Sequence, residues 1–542
     1  MRMIARVLDA PVWRALASMT FACWTAAAFA VAPDVIRDLA FGDADQKDKA
    51  LGTIVQSGDA QAIPILRALI DGDVKAVGEE RVLLVKDDAA TDLLTGQAVK
   101  PLPDNLDDVV VNNRYRRALG SAIAALKLAS PDRAVRAAAA KELAGAANED
   151  MLHAIVSAIT KETDPEIRSS LKLTQASIQF ASHDKATRLA AVRELGQSDT
   201  AQTRVMLLGL LEKKGGTYVE PDAEIRAEAQ RSLSAVERRL VLGDIAARVF
   251  TGISLGTILL LAALGLAITY GLMGVINMAH GELIMIGAYA TYVVQNVFRQ
   301  HLPGAFDWYL VFAVPVAFSV SAVVGMILER TVIRFLYGRP LETLLATWGL
   351  SLILIQTVRT IFGAQNVQVE NPSWMAGGIE IMSNVVLPWN RIIIIAFAGL
   401  VLLLTWFLLS RTRLGMFVRA VTQNRAMASA VGVPTARVDM LAFGLGSGIA
   451  GLAGCALSQI GNVGPDLGQS YIVDSFMVVV LGGVGQLAGT VYAALGLGIV
   501  NKFLEAWQGA VLAKIAVLVF IIFFIQKRPQ GLFALKGRLA DA

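Results

Sequence analysis

The 542-residue chain has only two cysteines, Cys23 and Cys455, and four histidines. One cysteine lies near the start and one in an apolar stretch, which excludes a disulfide framework and a cysteine-based metal site. Charge is scarce too. Asp, Glu, Lys and Arg make up 17% of the residues, against 55% hydrophobic ones, a balance typical of membrane proteins. The net charge of +4 comes with no nucleic-acid motif, so it is read as membrane orientation, and no nucleic-acid partner is expected. No G-x-x-x-x-G-K-[ST] sequence occurs, so the chain carries no P-loop. Gly446-Ser-Gly448-Ile-Ala-Gly451 and Gly483-Val-Gly485-Gln-Leu-Ala488 match a dinucleotide fingerprint by letter. Both sit in apolar segments without a preceding strand, so they are decoys. No catalytic constellation, cofactor site or metal site is read.

What is present is unevenly distributed, and the length already implies more than one domain. Residues 33–245 are charged and alanine-rich, whereas Val249 to Phe298 contain a single formal charge, Glu282. Arg2, Arg6 and Arg14 precede an apolar run from Ala15 to Ala32, and Ala28-Phe29-Ala30 fits a signal-peptidase site. A signal peptide over 1–30 is expected, with an uncleaved anchor as the alternative. Either places the following domain outside the cytoplasm.

Over 31–244 an Asp-x-x-x-Arg element recurs as Asp132/Arg136, Asp164/Arg168, Asp184/Arg188 and Asp222/Arg226. Asp at a helix start can accept orphan backbone N–H bonds. An Arg four residues on shares its face and can pair with it. With Ala and Leu at helical spacing, the recurrence predicts a soluble domain of stacked, HEAT-like helix pairs. Lys86 to Asn113, with Pro101 and Pro103, fits this scheme poorly and reads as a loop or insertion. His153 and His183 are isolated and read as surface residues, and the carboxylates as caps and solvated faces. The domain is expected to bind or dock rather than catalyse.

Apolar segments lie near 249–271, 273–298, 308–328, 341–362, 386–409, 437–459, 471–484, 486–504 and 510–526. Most reach the roughly 20 residues a membrane span needs. The seventh is too short and reads as half of a broken or re-entrant element. The predicted fold class is all-α: a polytopic membrane domain of about 8–9 segments over 245–535, preceded by the helical repeats. Arg330, Arg334 and Arg339 follow the third segment, and Lys527, Arg528, Lys536 and Arg538 follow the last. The loop from Gly363 to Pro388 has Glu370 and Glu380 but no Lys or Arg. These biases put 329–340, 411–436 and the tail 536–542 on the cytoplasmic side.

Glycine is dense around Gly281–Gly287 and Gly482–Gly489, comparable places early and late in this half. Small residues let membrane helices pack backbone to backbone, and two glycine-interrupted stretches hint at inverted repeats with a substrate path between them. Asn277, His280 and Glu282 cluster in VINMAHGELIMIGAY. Ionisable groups inside spans are costly and point to function. Asn277 and His280 would share a face if the backbone is helical, and His280 could bond Glu282 at a break. Lining a polar path and fixing that break remain equal readings. Gln356, Gln459, Asp474, Gln486 and Asn501 are weaker candidates.

The stretch from Arg411 to Arg437 has five basic residues on the way to Arg437 and no acid before Asp439. Phe417, Ala420, Val421, Asn424, Ala428 and Val431 follow a helical rhythm, and Gly432 and Pro434 form its stop. The bland reading is a topological anchor. The sharper one is a basic cytoplasmic helix that docks into a partner's groove.

GLMGVINMAHGELIMIGAYATY (271–292) and VVLGGVGQLAGTVYAALGLGIV (479–500) resemble the membrane permeases of branched-chain amino-acid ABC importers. FVRAVTQNRAMASAVGVPTARV (417–438) is similar to that family's ATPase-docking loop. The resemblance covers roughly 245–535. It implies a multi-pass permease of the bacterial inner membrane, with a second homologous permease, two cytoplasmic ABC ATPases and a periplasmic substrate-binding protein as partners. ATP hydrolysis would occur in those separate subunits. It also implies that Arg419, Asn424, Ala428, Gly432 and Pro434 form the docking helix, moving as a rigid lever during alternating access. Asn277, His280, Gly281, Glu282, Gly482, Gly483, Gly485 and Gln486 would belong to the translocation region. A secreted helical extension resembles the architecture of urea ABC transporter permeases, which makes urea the expected substrate. A branched-chain amino acid or short amide is the runner-up, and a passive channel or secondary carrier the rival mechanism.

Overall fold

A computed structural model of the chain describes residues 31–533, apart from 79, 80, 87, 88, 104, 146, 275 and 383. The expected leader (1–30) and tail (536–542) lie outside the described residues. The chain divides into two compact units at Leu240/Val241.

The first unit opens with α1 (Pro33–Phe41), α2 (Ala44–Ser57) and α3 (Ile63–Asp71). Asp43 and Gln46 form a reciprocal capping box at the start of α2, satisfying two orphan donors at once. A five-stranded antiparallel sheet follows: β1 (Val74–Val77), β2 (Arg81–Lys86), β3 (Ala89–Asp92), β4 (Ala98–Val99) and β5 (Asp107–Asp108). Its order is β4-β3-β2-β1-β5. The chain is mostly helical, as expected, and this sheet is an exception to the all-α reading. The segment read as a loop or insertion, Lys86 to Asn113, contributes β3, β4 and β5 to a sheet that begins at Val74. The physical reason is a period of two: Val74 and Ala76 are buried while Lys75 and Val77 are less so. Gly78, at φ 59°, turns the chain into the branched run Val82 to Val85, which suits a pleated, half-buried surface.

Helices α4 (Asn113–Lys127), α5 (Arg133–Leu143), α6 (Leu152–Lys161), α7 (Pro165–Gln179), α8 (Lys185–Leu195) and α9 (Ala201–Leu211) come next. Leu66, Leu119, Leu143, Ile155 and Leu171 share one buried core with the earlier helices. A two-stranded ribbon of β6 (Lys213–Lys214) and β7 (Thr217–Tyr218) precedes α10 (Ala223–Met273). Ile225, Ala229, Leu233 and Val236 of α10 close a second core with Val192 and Leu207.

Each repeated Asp caps its helix. Asp132 accepts from the Ala134 N–H, Asp164 from Glu166 and Ile167, Asp184 from Thr187, and Asp222 from Glu224. The expected pairing of each Asp with the Arg four residues later is corrected. Arg136 donates to the Ser130 and Pro131 carbonyls, Arg188 to Ser182 and His183, and Arg226 to Glu220 and Pro221. Each Arg instead holds the carbonyls just before its own helix. Arg136 also forms a two-pronged pair with Glu162 at 2.8 and 3.2 Å, and Arg188 meets Glu220 at 3.4 Å. Glu162 and Glu220 stand two residues before Asp164 and Asp222, so one helix pair is stitched to the next.

The second unit contains the rest of α10, then α11 (His280–His301), α12 (Tyr309–Thr331) and α13 (Pro340–Phe362). A hairpin of β8 (Gly378–Met382) and β9 (Val385–Pro388) leads into α14 (Trp389–Arg411). Two short helices, α15 (Arg413–Gln423) and α16 (Arg425–Ala430), precede α17 (Thr435–Ser458). The chain then forms α18 (Leu467–Gly482), α19 (Leu487–Gln508) and α20 (Ala510–Lys527). Among the described residues, seven helices are long and apolar enough to cross a membrane by length and composition. Neither α11, with its His280 and Glu282, nor the 16-residue α18 is among the seven. At 1.5 Å per residue α18 is roughly 24 Å long, short of the roughly 30 Å hydrocarbon core.

Helix α17 is the hub. It is buried along nearly its whole length, whereas Leu400, Leu403, Leu404 and Phe407 of α14 are exposed, as are Phe520 and Phe523 of α20. The sequence allows this because α17 is rich in glycine where it meets neighbours. Gly451 packs against Gly287, and Gly454 against the Ile284 carbonyl. A Cβ on Gly446 would lie 2.6 Å from the Gly265 oxygen. With no aqueous driving force between spans, such close backbone approach is the main source of helix association.

Candidate functional site

Between α10, which ends at Met273, and α11, which begins at His280, the described residues 274 and 276–279 are not helical. Gly274 has φ 65°, a left-handed conformation that glycine adopts without penalty. Within this break Asn277 and Ala279 are buried and Ile276 and Met278 partly so, so backbone groups there need partners. Asn277 caps locally, its Oδ1 accepting from the Ala279 N–H at 3.0 Å. Thr347 on α13 reaches two more backbone groups of the break. Its Oγ1 accepts from the Met278 N–H at 3.2 Å and approaches the Ile276 carbonyl at 3.4 Å.

The three polar residues expected here are indeed gathered and buried: Asn277 is 2% exposed, His280 0% and Glu282 1%. Their partners differ from expectation. His280 does not bond Glu282; its Nε2 lies 2.9 Å from the Ala262 carbonyl of α10. A carbonyl can only accept, so this contact places a proton on Nε2, and in the neutral ring Nδ1 is then an acceptor. Glu282 Oε1 accepts from the Ser351 hydroxyl at 2.7 Å. Asn277 lies before the helix start, so it and His280 do not share a helix face. Asn277 Nδ2 and His280 Nδ1 are buried without a partner among the described residues.

Sequence reasoning missed Thr347 and Ser351. Thr343, Thr347 and Ser351 are spaced by four on α13 and are all buried, while Leu345, Trp348, Leu352 and Ile353 of the same helix are exposed. That hydroxyl stripe on an otherwise apolar helix was the available signal.

The second glycine-rich stretch reaches the break through backbone rather than side chains. Gly281 abuts Gly468 at the start of α18, and Gly271 abuts Gly485 beyond its end. Gly482 packs on Gly489, and Gly483, at φ 99°, lies against the Phe533 carbonyl. Gln486 is the N-cap residue of α19, and its backbone N–H bonds the Gly483 carbonyl at 3.1 Å. Helix α18 and the turn after it thus lie beside the break, one contacting each of its flanking helices.

The segment expected to be one docking helix is two. Asn424, at φ −155°, ends α15 and caps α16 by accepting from the Met427 N–H at 2.9 Å. The expected shared face is corrected accordingly: Ala428 is buried against Val418, Val421, Val438 and Ala442, whereas Val431 is 72% exposed. Gly432, at φ 90°, and Pro434 end the segment. Arg419 donates to the Leu409 carbonyl at 2.6 Å. Arg425 pairs with the buried Asp439 of α17 and covers the Tyr337 ring at 4.8 Å. Tyr337 in turn donates to Glu329 at 2.8 Å. Burial and that bond to Glu329 hold the Tyr337 hydroxyl above its usual range.

Residues 248–526 match the family described as branched-chain amino acid transport system / permease component. The chain belongs to this family. The permease is 30% identical to the high-affinity branched-chain amino acid permease protein LivH of Escherichia coli, over 53% of this chain and 94% of that protein. It is 27% identical to BraD of Pseudomonas aeruginosa, over 52% of this chain and 93% of that one. A probable LivH of Methanocaldococcus jannaschii is 24% identical over 54% of the permease and 95% of its own length. No solved structure matches. Nearly whole relatives thus correspond to about half of the permease, and the family match starts only at residue 248.

Proposed function

We propose that the chain is the membrane permease subunit of an ATP-driven ABC importer of the inner membrane, carrying urea through the break between α10 and α11. The observation that carries the substrate reading is the pair of unpartnered groups, Asn277 Nδ2 as donor and His280 Nδ1 as acceptor. Urea is neutral and planar, with a carbonyl for the first and N–H groups for the second. Buried polar groups seek partners, and a neutral amide satisfies both without a counter-charge. Among the described residues no Lys or Arg is buried, which disfavours stable capture of an α-carboxylate at this depth.

In this reading residues 31–244 form a periplasmic docking domain of HEAT-like repeats. The nine apolar helices cross or re-enter the membrane as two inverted halves over 245–535, and the C-terminus is cytoplasmic. Segment 411–437 docks one of the importer's two ATPases, and a second permease and a periplasmic binding protein complete the assembly. The second reading is branched-chain amino-acid import, favoured by the names of the relatives that align over nearly their whole lengths.

Co-reconstitution with the candidate ATPases and binding protein, followed by labelled urea and leucine uptake, tests both. Uptake of urea that needs ATP is expected. Leucine uptake without urea uptake would overturn the substrate, and flux indifferent to ATP would overturn the importer.

A further inference from the structure

A cleft of about 260 Å³ opens where α10, α14 and α15 meet the turn before α19. Ile268, Trp406 and Leu409 give it an apolar floor, and Ser410, Arg419 and Thr422 a polar rim. Trp406 is half exposed and belongs to the same helix face as Leu403 and Phe407, so the cleft continues a surface that acyl chains cover. Aromatic residues of this kind gather at headgroup depth.

The rim is short of partners. The Ser410 hydroxyl oxygen is buried and has none among the described residues. Arg419 is fixed through Nη1 to the Leu409 carbonyl. Among the described residues none of Arg411, Arg413 and Arg419 forms an ion pair with a carboxylate. One cation in the lining, Arg419, with an orphan hydroxyl and apolar side chains beside it, matches one chemistry: a phosphodiester with chains attached. Basic pockets between helices on the cytoplasmic side select anionic headgroups in this way.

We infer that this cleft binds one anionic glycerophospholipid of the cytoplasmic leaflet. The Arg419 guanidinium and the Ser410 hydroxyl take the phosphate, and an acyl chain lies along Trp406 and Ile268. The site couples two parts already described. Gly485 and Gly271, in contact at one end of α18, line the same cleft as Gly415 and Val418 of α15. A lipid seated there braces the basic segment against the end of the helix break. The inference rests on the proposed cytoplasmic placement of 411–437 for its leaflet, but not for its binding chemistry.

The test uses the full-length purified chain in detergent and native mass spectrometry. The chain is titrated with dioleoylphosphatidylglycerol and, separately, with dioleoylphosphatidylcholine. One retained phosphatidylglycerol, preferred by about fivefold, is expected from roughly 1 kcal/mol per basic residue near a headgroup. Arg419→Gln should abolish that preference and Arg419→Lys should keep it. Millimolar inorganic phosphate should not displace the lipid; displacement would reassign the site to a free anion and overturn the inference. Equal retention of both lipids, or a preference unchanged in Arg419→Gln, would overturn it too. Folding of each variant is checked by its thermal transition. Thiol labelling of an introduced Arg413→Cys in sealed vesicles reads the sidedness separately, so a failure of the topology is distinguishable from a failure of lipid binding.

Discussion

Gly281 and Gly468 are packed backbone on backbone, so that a Cβ on Gly281 would stand 2.6 Å from the Gly468 carbonyl oxygen. Neither chain can yield without moving the first turn of α11 or α18. Gly281→Ala is therefore expected to destabilise the purified chain by about 1–3 kcal/mol, the usual cost of overpacking. Gly281→Val should prevent accumulation of folded protein. Alanine at Gly349, with open space around it, serves as the control. Thermal unfolding in detergent measures all three, and an unchanged transition in Gly281→Ala would contradict the contact.

Ser351 supplies a side-chain hydrogen bond to the buried Glu282 carboxyl at 2.7 Å. Ser351→Ala removes that donor and is expected to cost about 1–3 kcal/mol, the penalty of an unsatisfied buried group. Ser351→Thr retains the hydroxyl and should cost less. In Glu282→Gln the bond survives with a neutral acceptor, so Ser351→Ala should be milder on that background. A double-mutant cycle on unfolding free energy gives the coupling directly; additivity would show that the two side chains do not interact.

In the first unit the Arg136 guanidinium, with the backbone N–H groups of Asp164 and Thr163, holds the Glu162 carboxyl below the usual carboxylate range. Lys185 does the same for Asp222, and Arg133 for Asp164. A carboxyl depressed in the folded state adds stability above its unfolded pKa of about 4, and loses it as pH falls through the folded value. Protection of the first unit in limited proteolysis should be level from pH 8 to about 5 and decline below about 4. Glu162→Gln should be weaker at neutral pH and show a smaller decline. A decline as large as the parent's would locate the titration elsewhere.

Arg425 is the partner of Asp439, whose side chain is 3% exposed while that of Arg425 is 45% exposed. Removing the cation strands a buried carboxylate, so Arg425→Gln should destabilise by about 1–3 kcal/mol, with the exposed partner discounting the full cost of a broken buried pair. Arg425→Gln combined with Asp439→Asn should recover part of the loss. In the reconstituted assembly, the proposed importer function predicts that Arg425→Gln lowers uptake per ATP hydrolysed, and unchanged stoichiometry would detach this pair from coupling.

Much of the architecture was legible because hydropathy and punctuation are local. The apolar runs became helices, and the short seventh run became the 16-residue α18. Gly432 ended its helix as expected. What was not legible depended on partners distant in sequence. Asn277, His280 and Glu282 could be picked out as costly groups in an apolar run, but Ala262 and Ser351 as their partners required the fold. The rhythm of 417–431 continued through Asn424 because α15 and α16 both turn small residues toward α17, which hid the break. Glu162 and Glu220 were visible in ETDPEIR and EPDAEIR, yet attention to the Asp and Arg passed over the residue that joins successive helix pairs. The sheet was missed because short strands in an alanine-rich setting give too few alternations to stand out.

The joint at Asn424 changes what a push on this segment can do. A straight rod would transmit thrust along its own axis, but here the six residues of α16 hang from α17 by Arg425 and Ala428. Movement there is handed to the end of the central helix nearest α16, whose far reaches grip α11 at Gly287 and Ile284. Under the proposed importer function the segment is a crank handle, and α17 the shaft it turns.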